Sequence, residues 1–190
     1  QSRRWRAAGR QLCGSTGGIS GVGRMGKQVA KRLIGFDTKT IYTDLLEIAP
    51  EIENELKTAR VDIDTLLTES DFVTLHVPLT ELTHHLIDEV ALNKMKTGAT
   101  LINCARGPVV SEVALIAALK SGHIGGAGLD VFEVEPPATP NPFADFANVV
   151  LTPHHAPGTR DTMLVKFKEI FANADRFFSG ERMENEISLI

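Results

Sequence analysis

One stretch constrains this chain more than any other: Gly18-Ile19-Ser20-Gly21-Val22-Gly23-Arg24-Met25-Gly26. It follows a short apolar run and opens an amphipathic segment. Its glycines at 21, 23 and 26 do different physical jobs. Gly21 allows a tight turn, Gly23 lets the backbone approach a pyrophosphate, and Gly26 lets a helix pack close to a strand. The N–H groups at the helix start and the helix dipole favour an anion there. A purely structural glycine turn is the alternative, and the next segment of the chain weighs against it. Lys39-Thr40-Ile41-Tyr42-Thr43-Asp44 reads as a second strand ending in an acid. It lies about 20 residues after the turn, where a carboxylate can accept from a ribose 2′-hydroxyl. Turn and acid together imply a bound dinucleotide. Asp44 favours NAD over NADP, because a carboxylate repels a 2′-phosphate and no arginine follows in Asp44-Leu45-Leu46-Glu47.

Short apolar runs alternate with helical stretches along the chain, the signature of a parallel sheet flanked by helices. Six strands are expected: Thr16 to Ser20, Lys39 to Tyr42, Phe72 to Val77, Thr100 to Cys104, Gly125 to Val131 and Val149 to Thr152. The first helix spans Met25 to Ile34, with Met25, Val29, Ala30 and Leu33 on its inward face. Ala49 to Thr58 reads as a surface helix and Ile63 to Leu67 as a helical turn. Asp88 caps a helix to Met95, closed by Gly98. Ser111 caps another to Lys120, with Ala114, Leu115, Ala118 and Leu119 inward and Gly122 as the stop. The proline-rich segment Glu135 to Pro142 is an extended loop. A last helix runs from Thr159 to Ser179, striped by Met163, Phe167, Ile170, Ala174 and Phe177. The fold class is α/β, a doubly wound parallel sheet, with residues 1–158 as the dinucleotide-binding domain and 159–190 as a trailing helix.

Composition narrows the class further. A chain of 190 residues with 43% hydrophobic content can bury a sizeable core. A net charge of −4 gives no case for nucleic acid or an anionic membrane as a partner. Arg3, Arg4, Arg6 and Arg10 around Trp5 read as a solvated helix end or linker. No apolar run has membrane-spanning length, and the N-terminus carries no secretory h-region. Cys13 and Cys104 are too few for a disulfide framework and fit reduced thiols in a cytoplasmic protein. No metal site is expected.

In an open parallel sheet, ligands bind beyond the carboxyl ends of the strands. The fourth strand leads into Asn103-Cys104-Ala105-Arg106-Gly107, the fifth into Asp130, Glu133 and Glu135, and the sixth into Thr152-Pro153-His154-His155. Arginine holds a carboxylate bidentately, and histidine is suited to proton transfer near neutral pH. Singly, each has a plain alternative: Arg106 as a surface ion-pair residue, Glu135 as a solvated loop acid, His154 as a satisfied structural histidine. Their joint placement on the edge of the glycine turn argues for a site.

These pieces carry a resemblance to the cofactor-binding half of the D-isomer-specific 2-hydroxyacid dehydrogenases, a group that includes glyoxylate/hydroxypyruvate reductases. The similar segments are Gly21–Gly26, Leu75-His76-Val77-Pro78-Leu79-Thr80, Met95–Ala99, Leu101–Gly107, Ala127–Pro136 and Leu151–His154, in the family's order. The resemblance implies NAD-dependent interconversion of a small 2-keto acid and a D-2-hydroxy acid. It implies that Arg106 binds the substrate carboxylate, that His154 is the acid/base at the C2 oxygen, and that Glu135 holds His154 and raises its pKa. Arg24 and Met25 would meet the pyrophosphate and Asp44 the ribose. Val77, Pro78, Thr83, Cys104 and Ala105 would border the cofactor, and Asp130 would hold the nicotinamide carboxamide. It also implies a homodimer formed through the cofactor domain. Two departures stand out. The glycine-rich Thr16–Ser20 is expected to loosen the first strand, and most of the substrate domain is absent, so a truncated form is expected. His155 stands where an apolar neighbour is usual. The same fold is open to a second reading, a non-catalytic NAD-sensing or corepressor-type module, and to a third, a structural fragment that needs a partner chain.

Overall fold

The computed structural model describes residues 9, 11–156 and 158–186. The basic cluster around Trp5 lies outside the described residues. The chain divides into two compact units, one ending at Pro153 and one beginning at His154.

The first unit is a seven-stranded parallel sheet in the order β3-β2-β1-β4-β5-β6-β7. The strands are β1 (Thr16–Ser20), β2 (Lys39–Thr43), β3 (Thr58–Arg60), β4 (Phe72–Leu75), β5 (Ala99–Asn103), β6 (Ile124–Leu129) and β7 (Val149–Leu151). Helices α1 (Arg24–Leu33), α2 (Pro50–Leu56), α3 (Ile63–Glu69), α4 (Glu89–Lys94) and α5 (Glu112–Ser121) join them. This is the doubly wound dinucleotide-binding architecture expected from the sequence.

Local chemistry sets the helix ends. Asp62, Asp88 and Ser111 each accept from a backbone N–H three residues on, satisfying an amide that would otherwise lack a partner. Gly122 closes α5 in the left-handed region at φ 77°. Leu115 and Leu119 of α5 are buried in the same core as Leu75, Leu101 and Ile124 of β4, β5 and β6, which are fully enclosed. Truncating one such leucine to alanine costs about 2–5 kcal/mol. A smaller cluster under α1 and α2 gathers Ile19, Ala30, Leu33, Tyr42 and Leu56.

Several expectations need correction. The surface helix stops at Leu56; Lys57 turns left-handed at φ 48°, and Thr58–Arg60 adds a seventh strand beside β2. Met25 does not face inward. It is 65% exposed, and Gly26, Ala30 and Leu33 form the buried face of α1. The third expected strand ends at Leu75 rather than Val77. Nor do the glycines loosen β1, which is paired on both sides, with β2 and with β4. A Cβ on Gly17 would lie 2.5 Å from the Phe72 ring and one on Gly18 2.3 Å from Ser70 Oγ, so the missing side chains are space that neighbours fill.

The second unit, described by itself, holds α6 (Arg160–Phe178), capped by Thr159. Beyond α6 the chain folds back on it: Asn173 exchanges two hydrogen bonds with the Glu184 backbone, and Arg176 pairs with the Glu184 carboxylate. The expected stripe is present but none of α6 is buried, and Phe167, Ile170, Phe171, Phe177 and Phe178 are exposed. Among the described residues no helix is long and apolar enough to cross a membrane.

Candidate functional site

The strand order reverses beside β1, whose neighbours are β2 on one side and β4 on the other. That reversal is where an open α/β sheet forms a crevice. A cavity of about 750 Å³ lies there, walled by the loops after β1, β2 and β4. Of the residues expected to hold a cofactor, Gly21, Gly23, Asp44, Val77, Pro78 and Thr83 line it.

The glycine turn is fixed from two directions. Gly21 has φ +91°, donates to Thr43 O at 2.9 Å, and would drive a Cβ to 2.8 Å from the His76 carbonyl carbon. Val22 N donates to Asp44 Oδ2 at 2.7 Å, and Leu46 N donates to Asp44 Oδ1 at 3.2 Å. Asp44 is therefore a brace for the turn as well as an acceptor on the cavity wall. A carboxylate offers about four acceptor positions, so two backbone bonds leave it capacity for ribose hydroxyls. Gly26 packs against the turn itself, since a Cβ there would sit 2.0 Å from Gly21 O. Gly23 is different: nothing lies within 4 Å of where its Cβ would be. It caps α1 without a side-chain hydrogen bond, and no acid occupies the first turn. An open backbone at an uncapped helix start fits the pyrophosphate of a dinucleotide. Arg24 and Met25, both exposed, stand at this helix start.

The other expected residues lie beyond β5, β6 and β7. Buried Asn103 shapes the first of these turns, donating to Arg106 O and accepting from Ala105 N, both at 3.0 Å. Arg106 is exposed and donates to Ala105 O. Gly107 touches the next turn so closely that a Cβ would lie 1.8 Å from Phe132 O. Glu135, exposed, accepts from Phe132 N at 3.0 Å, so Arg106 and Glu135 flank one backbone contact. Buried Asp130 donates its N–H to Asn103 O and accepts from the Thr152 hydroxyl, tying the three strand ends together. Burial and the charge of Asp130 push the Cys104 thiol up, keeping it protonated. Glu133 is held elsewhere: its carboxylate accepts from Glu112 N at 2.8 Å and pairs with His85. His154 opens the second unit, at φ 51°, three residues after β7.

Sequence reasoning missed three residues here. His76 lines the cavity with Nε2 3.0 Å from Thr74 Oγ1, and burial lowers its pKa. Lys27 lines it from the first turn of α1. Arg60 reaches the loop after β2, pairing with Glu47 and donating to Asp44 O at 2.9 Å and Leu45 O at 3.5 Å. No arginine follows Asp44 in sequence, but one arrives through the sheet. Among the described residues there is no cluster of metal-binding side chains.

Comparison with known proteins agrees with this geometry. Residues 1–156 match the family described as D-isomer specific 2-hydroxyacid dehydrogenase, NAD binding domain. The glyoxylate reductase of Thermofilum pendens is 51% identical over 80% of this chain and 44% of its own length. That of Korarchaeum cryptofilum is 44% identical over 95% of this chain and 54% of its own. The chain thus spans about half the length of the curated relatives it matches. The crystal structure of D-lactate dehydrogenase with NAD+ from Lactobacillus jensenii superposes with a TM-score of 0.86 at 31% identity, covering 95% of this chain and 58% of that one. A crevice at the strand reversal, walled by a glycine turn and an acid at the end of the second strand, is the kind of site a dinucleotide-binding α/β domain carries. The chain belongs to the D-isomer-specific 2-hydroxyacid dehydrogenases and carries their NAD-binding domain.

Proposed function

We propose that this chain is the cofactor-binding and acid-base part of an NAD-dependent enzyme that reduces a small 2-keto acid, such as glyoxylate or hydroxypyruvate, to its D-2-hydroxy acid, or runs the reverse. NADH held at the glycine turn and Asp44 would supply the hydride that reduces substrate C2. Arg106 holds the substrate carboxylate in a two-pronged hydrogen bond and orients the carbonyl. His154 donates the proton to the C2 oxygen in reduction and takes it back in oxidation. Glu135 supports that histidine. Asp44 receives the adenosine ribose, Val77, Pro78, Thr83, Cys104 and Ala105 border the cofactor, and Asp130 meets the nicotinamide carboxamide. The working enzyme is a cytoplasmic homodimer joined through this domain, and residues 159–190 belong with its substrate half.

The observation that carries the reading is the pairing of the open cradle at Gly23 with the Arg106 turn on the same sheet edge. His154→Ala, assayed in a form of the protein that turns over glyoxylate, should lower kcat by about 10²–10⁴-fold. A variant within twofold of the parent would remove His154 from the mechanism.

A further inference from the structure

We propose that Glu47 and Arg60 form a charge gate at the ribose end of the cavity, setting the choice between NADH and NADPH beyond the effect of Asp44 alone. The gate rests on the cavity's holding the adenosine half of the cofactor.

Arg60 leaves β3 in register with Tyr42, two residues before Asp44. Its Nη2 donates to the carbonyls of Asp44 and Leu45, and its Nη1 pairs with the Glu47 carboxylate. Asp44, Leu45 and Glu47 all line the cavity, so one guanidinium anchors three residues of the same wall. The planar fork of arginine matches a phosphate as well as it matches a carboxylate. With Glu47 in place, that arm of the fork is taken and its charge is neutralised. Asp44 then faces the ribose with no net cation behind it. Such a wall welcomes two hydroxyls and repels a phosphate dianion. With Glu47 uncharged, the same guanidinium, on a side chain 35% exposed, becomes the cation that a 2′-phosphate needs. Glu47 is the blocking residue, and Arg60 is a latent ligand for a 2′-phosphorylated adenosine.

The test is a fluorescence titration of the chain with NADH and with NADPH. Glu47→Gln keeps an acceptor for Arg60 while losing the charge. It should narrow the ratio of NADPH to NADH dissociation constants about fivefold, through tighter NADPH, and the gain should shrink as salt is raised. Adding Arg60→Gln should abolish the gain. An unchanged ratio in Glu47→Gln, or a gain that survives the loss of Arg60, overturns the gate while the cavity's assignment stands. Absence of saturable NADH binding by the unaltered chain overturns that assignment and the gate with it.

Discussion

The two ends of the sheet edge are built to different degrees. At the β1–β2 end, the turn, the brace and the wall lock one another in place: Gly21 on Thr43, Val22 on Asp44, Arg60 on the loop that Asp44 begins. The product is a cavity of about 750 Å³. At the β5–β7 end, the backbone is equally well tied, through Asn103, Asp130 and Thr152. Yet the side chains expected to do chemistry there, Arg106 and Glu135, are exposed. The β1–β2 end is thus a walled cavity, whereas the β5–β7 end, where we propose that the substrate binds, presents Arg106 and Glu135 on the surface. Enclosure excludes water and strengthens polar interactions at the moment of reaction. This chain should therefore bind cofactor well and turn over 2-keto acids slowly by itself.

The largest effects should come from the glycine turn, and they should split by position. Gly26→Val should unfold or badly destabilise the unit, by several kcal/mol, because its Cβ would meet Gly21 O at 2.0 Å. Gly23→Ala should leave the melting temperature nearly unchanged, since its Cβ meets nothing, yet weaken NADH binding by more than about tenfold by filling the pyrophosphate cradle. If both variants melt alike, the distinction between a packing glycine and a binding glycine is wrong. Asp44→Ala should weaken NADH about tenfold by removing a hydroxyl acceptor and the brace on Val22 N, and should narrow the preference over NADPH. An unchanged NADH affinity would take Asp44 out of the ribose site.

The smallest effect is one of pH. Burial holds the His76 imidazole below its ordinary value of 6.5, so the folded chain binds fewer protons than the unfolded chain as pH falls through that value. Stability should therefore decline from about pH 6.5 downward. His76→Gln should flatten that decline in a denaturant series. An equal slope in the variant would assign the acid sensitivity to other groups.

The parts of this molecule that were legible in the sequence depend on local chemistry. Glycine spacing announced the turn, Asp88 and Ser111 announced helix starts, and alternating apolar runs announced the parallel sheet. What escaped depends on partners distant in sequence. Strand β3 is three residues long, only Thr58 of it is buried, and it has no periodicity to read. Its existence follows from pairing with β2. Arg60 reaches Asp44 only through that pairing, so no arginine in the stretch after Asp44 signals it. Met25 misled because a hydrophobic side chain at a helix start fits an inward stripe on paper, while the turn gives that face to Gly26. The glycines of β1 read as weakness in the sequence, whereas Phe72, Ser70 and Leu66 fill the space they leave.

The claim that this unit binds NAD at the glycine turn and Asp44 is tested most directly by calorimetric titration of the unaltered chain with NADH and, separately, NADPH. Saturable one-to-one binding of NADH and a markedly weaker affinity for NADPH are the expected result. No saturable NADH binding by a folded chain, or NADPH binding as tight as NADH, would contradict it.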